Sequence, residues 1–343
     1  MGDFPDFAVW NLFGIWDLVF GISPRIRDLP YVLGFWESHA IIAPMHSIFR
    51  AALLIMCALP VLSQPNTNQS RPRPPLPPGV KVMRDLEYGQ ASGRAMLLDL
   101  YLPEKAEKRL PLIIWVHGGA WMGGSKDGRS PALQFTTEGY AVAHVGYRLS
   151  GEAKFPAQIN DCKAAVRWLR ANAKTYQLDP EKFIAWGSSA GGHLVAMLGT
   201  TGGVKELEGT VNNLKESSRV QGVVDWFGPT DLLRMNETES DRRHDAPNSA
   251  ESKLIGGPLL ENKDKAAKAS PTTYVSKDAP PFLIMHGDHD LEVPIRQSEI
   301  LAEALKKAGV EVTFIPIKGA GHGFGGAEAI RPVRDFLKHC LKD

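Results

Sequence analysis

Short apolar runs alternate with stretches of mixed character through most of the chain. Apolar runs bounded by turn residues are typical of buried strands, whereas apolar residues three or four positions apart indicate helices. The runs predict strands over Val80–Tyr88, Ala95–Tyr101, Leu112–His117, Tyr140–Tyr147, Phe183–Trp186, Val220–Phe227, Phe282–His286 and Val310–Ile317. The helical spacing predicts helices over Ala157–Tyr176, Leu194–Leu198, Ile295–Ala308 and Arg331–Leu341.

Apolar strands that are each followed by a helix are typical of a sheet buried on both faces. The chain is therefore predicted to have an α/β fold, a mostly parallel sheet with helices on each side. The segment 231–276 interrupts the alternation. It is polar and charged at its start and has Gly256-Gly257-Pro258 in its middle. We interpret it as a small cap over the strand ends, with a surface excursion as the alternative.

The chain before residue 80 does not follow this alternation. Arg50 precedes the apolar run Ala51–Leu62, which ends at the small residue Ser63. This order is the layout of a secretory signal peptide, which we predict at 45–63, with cleavage near Ser63. The apolar run is shorter than the roughly 20 residues of a membrane span. An uncleaved anchor or a buried helix is the alternative interpretation.

Residues 1–44 contain several Trp and Phe residues without a helical or alternating period. Because a signal peptide begins its protein, translation is predicted to start at Met45, and 1–44 are interpreted as an upstream extension. A hydrophobic N-terminal anchor is the competing interpretation. Residues 64–79 are polar and rich in proline, which predicts an extended linker. The folded domain is then predicted over 80–343, in a protein that is secreted or periplasmic.

Composition and charge narrow the classes of function. The 343 residues are 43% apolar and 22% charged, as in ordinary globular proteins, so neither disorder nor a membrane bundle is indicated. The formal net charge is +1, and no block of Lys and Arg stands out. A nucleic-acid partner is therefore not expected. Because the apolar run 51–62 is short and is predicted to be cleaved off, a stable membrane span is not expected in the mature form either.

A nucleophile motif directly follows the predicted strand Phe183–Trp186. Residues 187–191 read Gly-Ser-Ser-Ala-Gly and match G-x-S-x-G. Small residues in this pattern allow a sharp strand-to-helix turn, from which the central hydroxyl projects at the carboxyl edge of the sheet. Ser189 is therefore the candidate nucleophile, and Ser188 is the rival serine. The start of the following helix supplies the amide of Ala190 for an oxyanion.

A glycine-rich segment follows the predicted strand Leu112–His117. Residues 117–121 read His-Gly-Gly-Ala-Trp, and glycines allow backbone amides to approach a ligand closely. In the functional interpretation, the amides of Gly119 and Ala120 complete an oxyanion hole with that of Ala190. A plain glycine turn between a strand and a helix is the alternative.

Carboxylate and imidazole groups follow the last two predicted strands. Asp288 and Asp290 come after Phe282–His286, where a carboxylate can fix the tautomer of a histidine. Asp290 is preferred, and Asp288 is the alternative. His322 lies on a glycine-flanked loop after Val310–Ile317 and is the candidate general base. The order serine, acid, histidine along the chain is that of nucleophile-elbow enzymes.

Other residues have less specific interpretations. The His and Asp residues at 286–290 are metal-ligand types, but no second cluster completes a coordination shell, so no metal site is predicted. His193 lies one turn beyond Ser189 and is expected to pack or cap there. Four aromatic residues near strand ends either line an acyl or aromatic pocket or belong to the core: Trp121, Trp226, Phe227 and Phe324.

Four segments together carry a family resemblance. HGGAW at 117–121, GSSAGG at 187–192, HGDHDLEVP at 286–294 and GAGHGF at 319–324 resemble the α/β-hydrolase esterases of the feruloyl-esterase-like (BD-FAE) group, relatives of the hormone-sensitive-lipase family. The resemblance extends from about residue 80 to the C-terminus. It implies the α/β-hydrolase fold, whose eight-stranded, mainly parallel sheet has an antiparallel second strand. It also implies the triad Ser189, Asp290 and His322.

The resemblance implies a serine carboxylesterase that cleaves short acyl, acetyl or feruloyl esters, carbohydrate-linked ones included, through an acyl-enzyme. That chemistry needs neither a metal nor an organic cofactor. The predicted signal peptide at 45–63 adds the expectation that this enzyme is secreted. Ala120 replaces the third glycine of the HGGG pattern, and arylformamidases also carry HGG-x-W, so an amidase with the same triad is the nearest alternative. A serine peptidase or an inactive binding module is a further alternative. Nothing before residue 80 supplies the large accessory domain of prolyl-oligopeptidase-type enzymes.

The same resemblance bears on the cysteines. In the family fold, the helix that contains Cys162 and the last helix, which contains Cys340, cover opposite faces of the sheet. The resemblance therefore implies that these two thiols are free.

Overall fold

An eight-stranded sheet forms the centre of the computed structural model, which describes residues 76–342. Its strands are β1 (Val80–Ala91), β2 (Arg94–Pro103), β3 (Leu110–Val116), β4 (Ala141–Val145), β5 (Leu178–Ser188), β6 (Gly222–Trp226), β7 (Phe282–Gly287) and β8 (Val312–Ile317). They lie in the order β1-β2-β4-β3-β5-β6-β7-β8. The predicted extension at 1–44 and signal peptide at 45–63 lie outside the described residues, as does most of the linker at 64–79.

Strand directions bring the candidate residues to one edge of the sheet. β2 runs antiparallel to both of its neighbours. The pairs β4-β3, β3-β5, β5-β6, β6-β7 and β7-β8 are all parallel. The carboxyl ends of β3, β5, β7 and β8 therefore share an edge, where open α/β sheets bind ligands. The predicted sheet with an antiparallel second strand is confirmed.

Helices cover both faces of the sheet. The helices that contact the strands are α1 (Ala157–Ala171), α2 (Ala190–Thr200), α5 (Arg296–Lys307) and α6 (Gly326–Cys340). Two short helices, α3 (Ala250–Ile255) and α4 (Lys263–Lys268), lie in the segment 231–276. Alternate residues of β3 point to opposite faces: Leu112 and Ile114 join the core under α1, α2 and α5, whereas Ile113 and Trp115 join the core under α6. Such two-sided burial explains why the central strands are continuous apolar runs.

Three helix boundaries differ from the sequence prediction by more than two residues. α1 ends at Ala171 instead of Tyr176, because Asn172 leaves the helical path and its side-chain amide donates to the carbonyl of Trp168 at 2.8 Å. α2 begins at Ala190, directly after the candidate serine, rather than at Leu194. α6 begins at Gly326 instead of Arg331. The glycines on both sides of Phe324 are typical of a loop, which is why the helix was predicted to start later.

The segment 231–276 folds into α3, α4 and three short 3₁₀ turns at Leu232–Arg234, Leu259–Glu261 and Pro271–Tyr274. Ser249 caps α3, since its hydroxyl accepts from the amide of Ser252 at 3.1 Å. At the start of the segment, the hydroxyl of Ser240 donates to the carbonyl of Leu291 at 2.7 Å. The segment is thereby joined to the loop that follows β7.

Two further features concern the described part of the chain. Cys162 belongs to the core under α1, and Cys340 packs against the core under α6, and both thiols are free. Within residues 76–342, no helix combines the length and the apolarity that crossing a bilayer requires.

Candidate active site

Ser189 lies on a sharp turn between β5 and α2. Its φ is 56°, in the left-handed region that non-glycine residues rarely adopt, a conformation that costs about 1–3 kcal/mol. The turn needs small neighbours: a Cβ on Gly191 would lie 2.1 Å from the carbonyl oxygen of Val116, and one on Gly187 would lie 2.3 Å from that of Gly191. The local sequence therefore selects a conformation that raises the hydroxyl of Ser189 above the sheet edge.

His322 contacts both of the other candidate triad residues. Its Nε2 lies 2.9 Å from Oγ of Ser189, and its Nδ1 lies 2.8 Å from Oδ2 of Asp290. Because an ionised carboxylate can only accept, we assign the proton to Nδ1, which leaves Nε2 to accept from the hydroxyl. The structure thus brings together three residues that the sequence separates by up to 133 positions.

Asp290 is held by four hydrogen bonds. Its Oδ1 accepts from the amides of Glu292 and Val293, each at 2.9 Å, and its Oδ2 lies near His322 and His286. Burial alone would raise the pKa of Asp290. The hydrogen bonds from His286 and His322, the charge of His322 and the amide of Val293 outweigh burial and hold this pKa well below its usual range. Asp290 is therefore ionised at neutral pH.

His286 is a second histidine on the same carboxylate, and we did not assign it a role from the sequence. It is fully buried at the end of β7, and its Nε2 lies 3.1 Å from Oδ2 of Asp290 and 2.7 Å from the carbonyl oxygen of Val293. Both neighbours are acceptors, so Nε2 carries a proton. Its Nδ1 lies 2.7 Å from Oγ of Ser298. Its sequence position, at the end of an apolar strand and four residues before the acid, did not distinguish it from a core residue.

Asp288 lies apart from the imidazole of His322. Its Oδ1 accepts from the amide of Gly319 at 2.6 Å and contacts Nδ1 of His289 at 2.6 Å, on the exposed side of the loop. Its contacts tie the loop after β7 to the turn after β8. Of the two candidate carboxylates, only Asp290 lies beside His322.

The glycine-rich loop after β3 packs against the Ser189 turn. A Cβ on Gly118 would lie 2.8 Å from the carbonyl oxygen of Ser188, so only glycine permits this approach. Ala120 follows with φ 52°. Within residues 76–342, no hydrogen bond is donated by the amides of Gly119, Ala120 or Ala190. These three amides are free donors for an incoming oxyanion.

His193 joins the glycine-rich loop to α2. Its Nδ1 accepts from the indole N–H of Trp121 at 3.1 Å, and its Nε2 donates to the carbonyl of Ala269 at 2.7 Å. Burial lowers the pKa of His193 to about 4, so it is neutral at neutral pH. The amide of His193 also donates to the carbonyl of Ser189 at 3.0 Å. The residue packs beside the serine, as the sequence analysis predicted, and it also holds Trp121.

A cavity of about 330 Å³ opens above the serine. Ser189, His322, Ala120 and Trp121 line it, together with residues of the segment 242–251. Its volume lies at the lower end of the range for small-molecule sites. The segment contributes mainly polar side chains to the cavity wall: Arg242, Arg243, His244, Asn248, Ser249 and Glu251.

Three of the four candidate aromatic residues do not line this cavity. Trp226 and Phe324 border a separate groove of about 830 Å³ beside α6. Trp226 is the last residue of β6 and belongs to the core under α6. Phe227 is buried and packs edge-on against the ring of His322, with 4.8 Å between ring centroids. Trp121 alone of the four lines the cavity.

In the part of the chain that the structure covers, no three His, Cys, Asp or Glu side chains are grouped so that they could hold a metal ion. Two buried side chains of the cavity wall contact each other, with Nδ1 of His244 2.8 Å from Oε1 of Glu251.

Comparison with known protein families gives a match to the BD-FAE family model over residues 98–305. Among individual proteins, the chain is 31% identical to esterase LipQ of Mycobacterium tuberculosis over 265 residues. That alignment covers 74% of this chain and 61% of LipQ. The chain therefore spans less than two thirds of the length of this relative.

Two solved structures are similar over most of the described part. A truncated carbohydrate esterase from gut microbiota is 35% identical, with a TM-score of 0.70 over 77% of this chain and 97% of that one. An esterase from Thermogutta terrifontis with bound butyrate is 27% identical, with a TM-score of 0.63 over 77% and 95% of the two chains. Esterase 2 of the same organism is also known in a form phosphonylated by sarin.

Proposed function

Because the chain belongs to the BD-FAE family, we propose that it is a serine hydrolase that cleaves carboxylic esters. The observation that carries this proposal is the continuous contact from Asp290 through His322 to Ser189, at 2.8 and 2.9 Å. Ser189 and His322 line the cavity together with Ala120 and Ala190, whose amides donate no hydrogen bond within the described residues.

The first half of the proposed reaction forms an acyl-enzyme. Oγ of Ser189 attacks the ester carbonyl carbon while its proton passes to Nε2 of His322. Asp290 keeps His322 in the required tautomer and stabilises the imidazolium. The carbonyl oxygen becomes an oxyanion, which the amides of Gly119, Ala120 and Ala190 receive. Each donor of this kind contributes about 2.7–4 kcal/mol in the transition state. His322 then protonates the alcohol oxygen as the ester bond breaks.

The second half releases the acid. Water attacks the acyl carbon, its proton passes to His322, and the bond to Oγ of Ser189 breaks as His322 returns that proton to the serine. Two protons and one oxygen enter as water and leave in the alcohol and the acid, so the cycle is balanced. No other reactant is required.

A short acyl group on a polar alcohol fits the cavity. Its volume of about 330 Å³ is small, and Trp121, Ala190 and Val293 give part of its wall an apolar character. The polar side chains of 242–251 suit an alcohol with several hydroxyl groups. The likeness to a carbohydrate esterase and to an esterase with bound butyrate supports the same substrate class. We therefore propose acetyl and other short acyl esters of carbohydrates, with feruloyl esters as the larger limit.

The test is an ester panel on protein that starts at Gln64. p-Nitrophenyl acetate, butyrate and octanoate, an acetylated xylose and methyl ferulate are compared at equal enzyme concentration. We expect turnover of the short esters that falls with acyl length and disappears in Ser189→Ala. Inactivity on every ester, or an unchanged rate in Ser189→Ala, would reject the proposal.

An amidase is the second candidate, because Ala120 stands at the third glycine of the HGGG pattern and Trp121 follows it. The triad would cleave an N-formyl aryl amine by the same two steps, with the amine as the leaving group. A parallel assay of N-formylkynurenine and p-nitrophenyl acetate separates the two functions. A kcat/KM that is higher for the amide would favour the amidase.

We further propose that 45–63 direct export of the chain and are removed. The basic residue Arg50 and the apolar run Ala51–Leu62 support this proposal. N-terminal sequencing of protein recovered outside the cytoplasm should begin near Gln64. A recovered chain that retains the apolar run would indicate an anchor instead.

A further inference from the structure

A second carboxylate faces the atom of His322 that transfers protons. Oε2 of Glu292 lies 3.7 Å from Nε2 of His322, the same nitrogen that contacts Ser189. Glu292 and His322 line the same cavity as Ser189. The carboxylate of Glu292 takes no part in the hydrogen bond that fixes the tautomer of His322. It is also separate from the amides that receive the oxyanion.

Contacts on three sides fix the position of Glu292. Its amide donates to Oδ1 of Asp290 at 2.9 Å, so its backbone moves with the triad acid. Its Oε1 accepts from the guanidinium of Arg242 at 2.9 Å. The neighbouring Leu291 carbonyl accepts from the amide of Asp241 at 3.0 Å and from Ser240. Arg242 therefore binds Oε1 of Glu292, and Oε2 is directed toward His322.

The separation between Glu292 and His322 suits a bridging water. At 3.7 Å the carboxylate is too far from Nε2 for a direct hydrogen bond, but one water molecule can reach both groups. In the free enzyme the hydroxyl of Ser189 donates a hydrogen bond to Nε2 of His322. In the acyl-enzyme that oxygen is esterified and has no proton to donate, so Nε2 becomes available to water.

We propose that Glu292 orients the water that hydrolyses the acyl-enzyme, an inference that rests on the proposed ester hydrolysis. One O–H of the water donates to Oε2 of Glu292, and the other donates to Nε2 of His322. The water oxygen forms a bond to the acyl carbon as His322 takes one proton. The bond from the acyl carbon to Oγ of Ser189 then breaks, and His322 returns the proton to Oγ. Glu292 exchanges no proton in these steps and only fixes the orientation of the attacking oxygen.

This role affects one half of the cycle. Acylation uses the hydroxyl of Ser189, which His322 already holds, whereas deacylation uses a water that must be oriented. Loss of the carboxylate should therefore slow deacylation and leave acylation unchanged. When deacylation limits turnover, kcat and KM fall together and kcat/KM is preserved. A merely structural defect in the site would lower kcat/KM as well.

The experiment compares Glu292→Gln and Glu292→Ala with wild type on p-nitrophenyl acetate by stopped flow. Glu237→Gln is the matched control, because Glu237 makes a similar pair with Arg234, at 2.6 and 2.8 Å, and does not line the cavity. We expect a burst of p-nitrophenol with an unchanged rate constant in both Glu292 variants. The following steady rate should fall by roughly 10- to 100-fold, the cost of a misplaced reactant. Arg242→Gln should change the steady rate in the same direction by less.

Different outcomes separate this inference from the proposed function. A steady rate that stays at the wild-type value in both Glu292 variants would overturn the inference while ester hydrolysis stands. A fall in the burst rate constant and kcat/KM equal to the fall in kcat would also overturn it, because acylation would then depend on Glu292. An inactive wild type whose Ser189 does not react with a fluorophosphonate would reject the proposed function itself. Equal fluorophosphonate labelling of wild type and both variants verifies that the site is folded.

Discussion

The indole N–H of Trp121 donates to Nδ1 of His193 at 3.1 Å, across 72 positions of sequence. Trp121 follows the two loop amides proposed for the oxyanion, and His193 lies in the first turn of the helix that starts after Ser189. Both Ala120 and Trp121 have positive φ, at 52° and 56°. One buried hydrogen bond thus connects a strained loop to the turn that it must face, and it fixes the distance between the two halves of the oxyanion hole.

Replacing Trp121 with Phe should weaken both stability and activity. The change removes the N–H and leaves Nδ1 of a buried histidine unpaired, which costs about 1–3 kcal/mol in the free energy of unfolding. Complete loss of one oxyanion donor costs about 100- to 1000-fold in kcat, so a partly misaligned loop should cost roughly tenfold. Urea unfolding and kcat on p-nitrophenyl acetate measure the two effects. Trp168→Phe, at a half-buried residue that packs near Tyr176, is the control, and an equal loss of kcat there would contradict the prediction.

Asp290→Asn should lower kcat by roughly 10³- to 10⁴-fold, because an amide cannot hold the tautomer or stabilise the imidazolium of His322. Asp288→Asn should keep kcat within about threefold, since its carboxylate bonds to the Gly319 amide and lies apart from His322. The kcat of each purified variant on a short ester measures the difference. The reverse ranking of the two variants would exchange the roles of the two carboxylates.

Stability should fall in acid partly because of His144. Burial lowers the pKa of His144 from 6.5 to about 4, and the carbonyl of Lys126 accepts from its Nδ1 at 3.0 Å. Between these two pH values the unfolded chain binds a proton at this residue and the folded chain does not. The free energy of unfolding therefore decreases as the pH falls from about 6.5 to 4, by about 3 kcal/mol from this residue.

His144→Gln isolates that contribution. The glutamine does not titrate, so the difference in unfolding free energy between wild type and variant should shrink as the pH is lowered from 6.5 to 4. Urea titrations at three pH values in this range supply the measurement. A difference that is the same at each pH would mean that the folded protein protonates His144 as readily as the unfolded chain does.

Both cysteines should react slowly as free thiols in the folded protein. Cys162 is buried, and burial raises its pKa well above the ordinary value. Burial also raises the pKa of Cys340 to about 12. Since thiolates are the reactive form, a thiol reagent at pH 7 should modify protein starting at Gln64 slowly until urea is added, and then titrate two thiols per chain. A nonreduced peptide that joins Cys162 to Cys340 would contradict this.

Much of the sheet and the triad contacts could be anticipated from the sequence for one physical reason. Parallel strands with both faces buried are apolar runs, and motifs that follow such runs meet at one edge. Ser189, Asp290 and His322 each follow a strand of this kind, so their order along the chain was informative. The glycines at 187 and 191 marked the turn because a side chain at either position would strike a backbone carbonyl.

Contacts between side chains of distant segments could not be predicted in this way, because no sequence pattern marks them. Arg242 reaches Glu292 across 50 positions, from a polar segment without periodicity. His286 was assigned no role, because a histidine at the end of an apolar strand is equally consistent with a core residue. Trp226 and Phe324 were candidates by their nearness to strand ends, but the side of the sheet on which they lie directs them to a different groove. The position of a residue along the chain therefore predicts the edge of the sheet at which it lies. The packing of its side chain decides which cavity it lines.

The most direct test is the site of covalent labelling by a fluorophosphonate, followed by peptide mapping. If Ser189 is the activated nucleophile, one phosphonyl group per chain should appear on Ser189, and His322→Ala should slow its attachment by at least about 100-fold. An adduct on Ser188, or labelling that proceeds as fast without the imidazole of His322, would contradict the proposed triad.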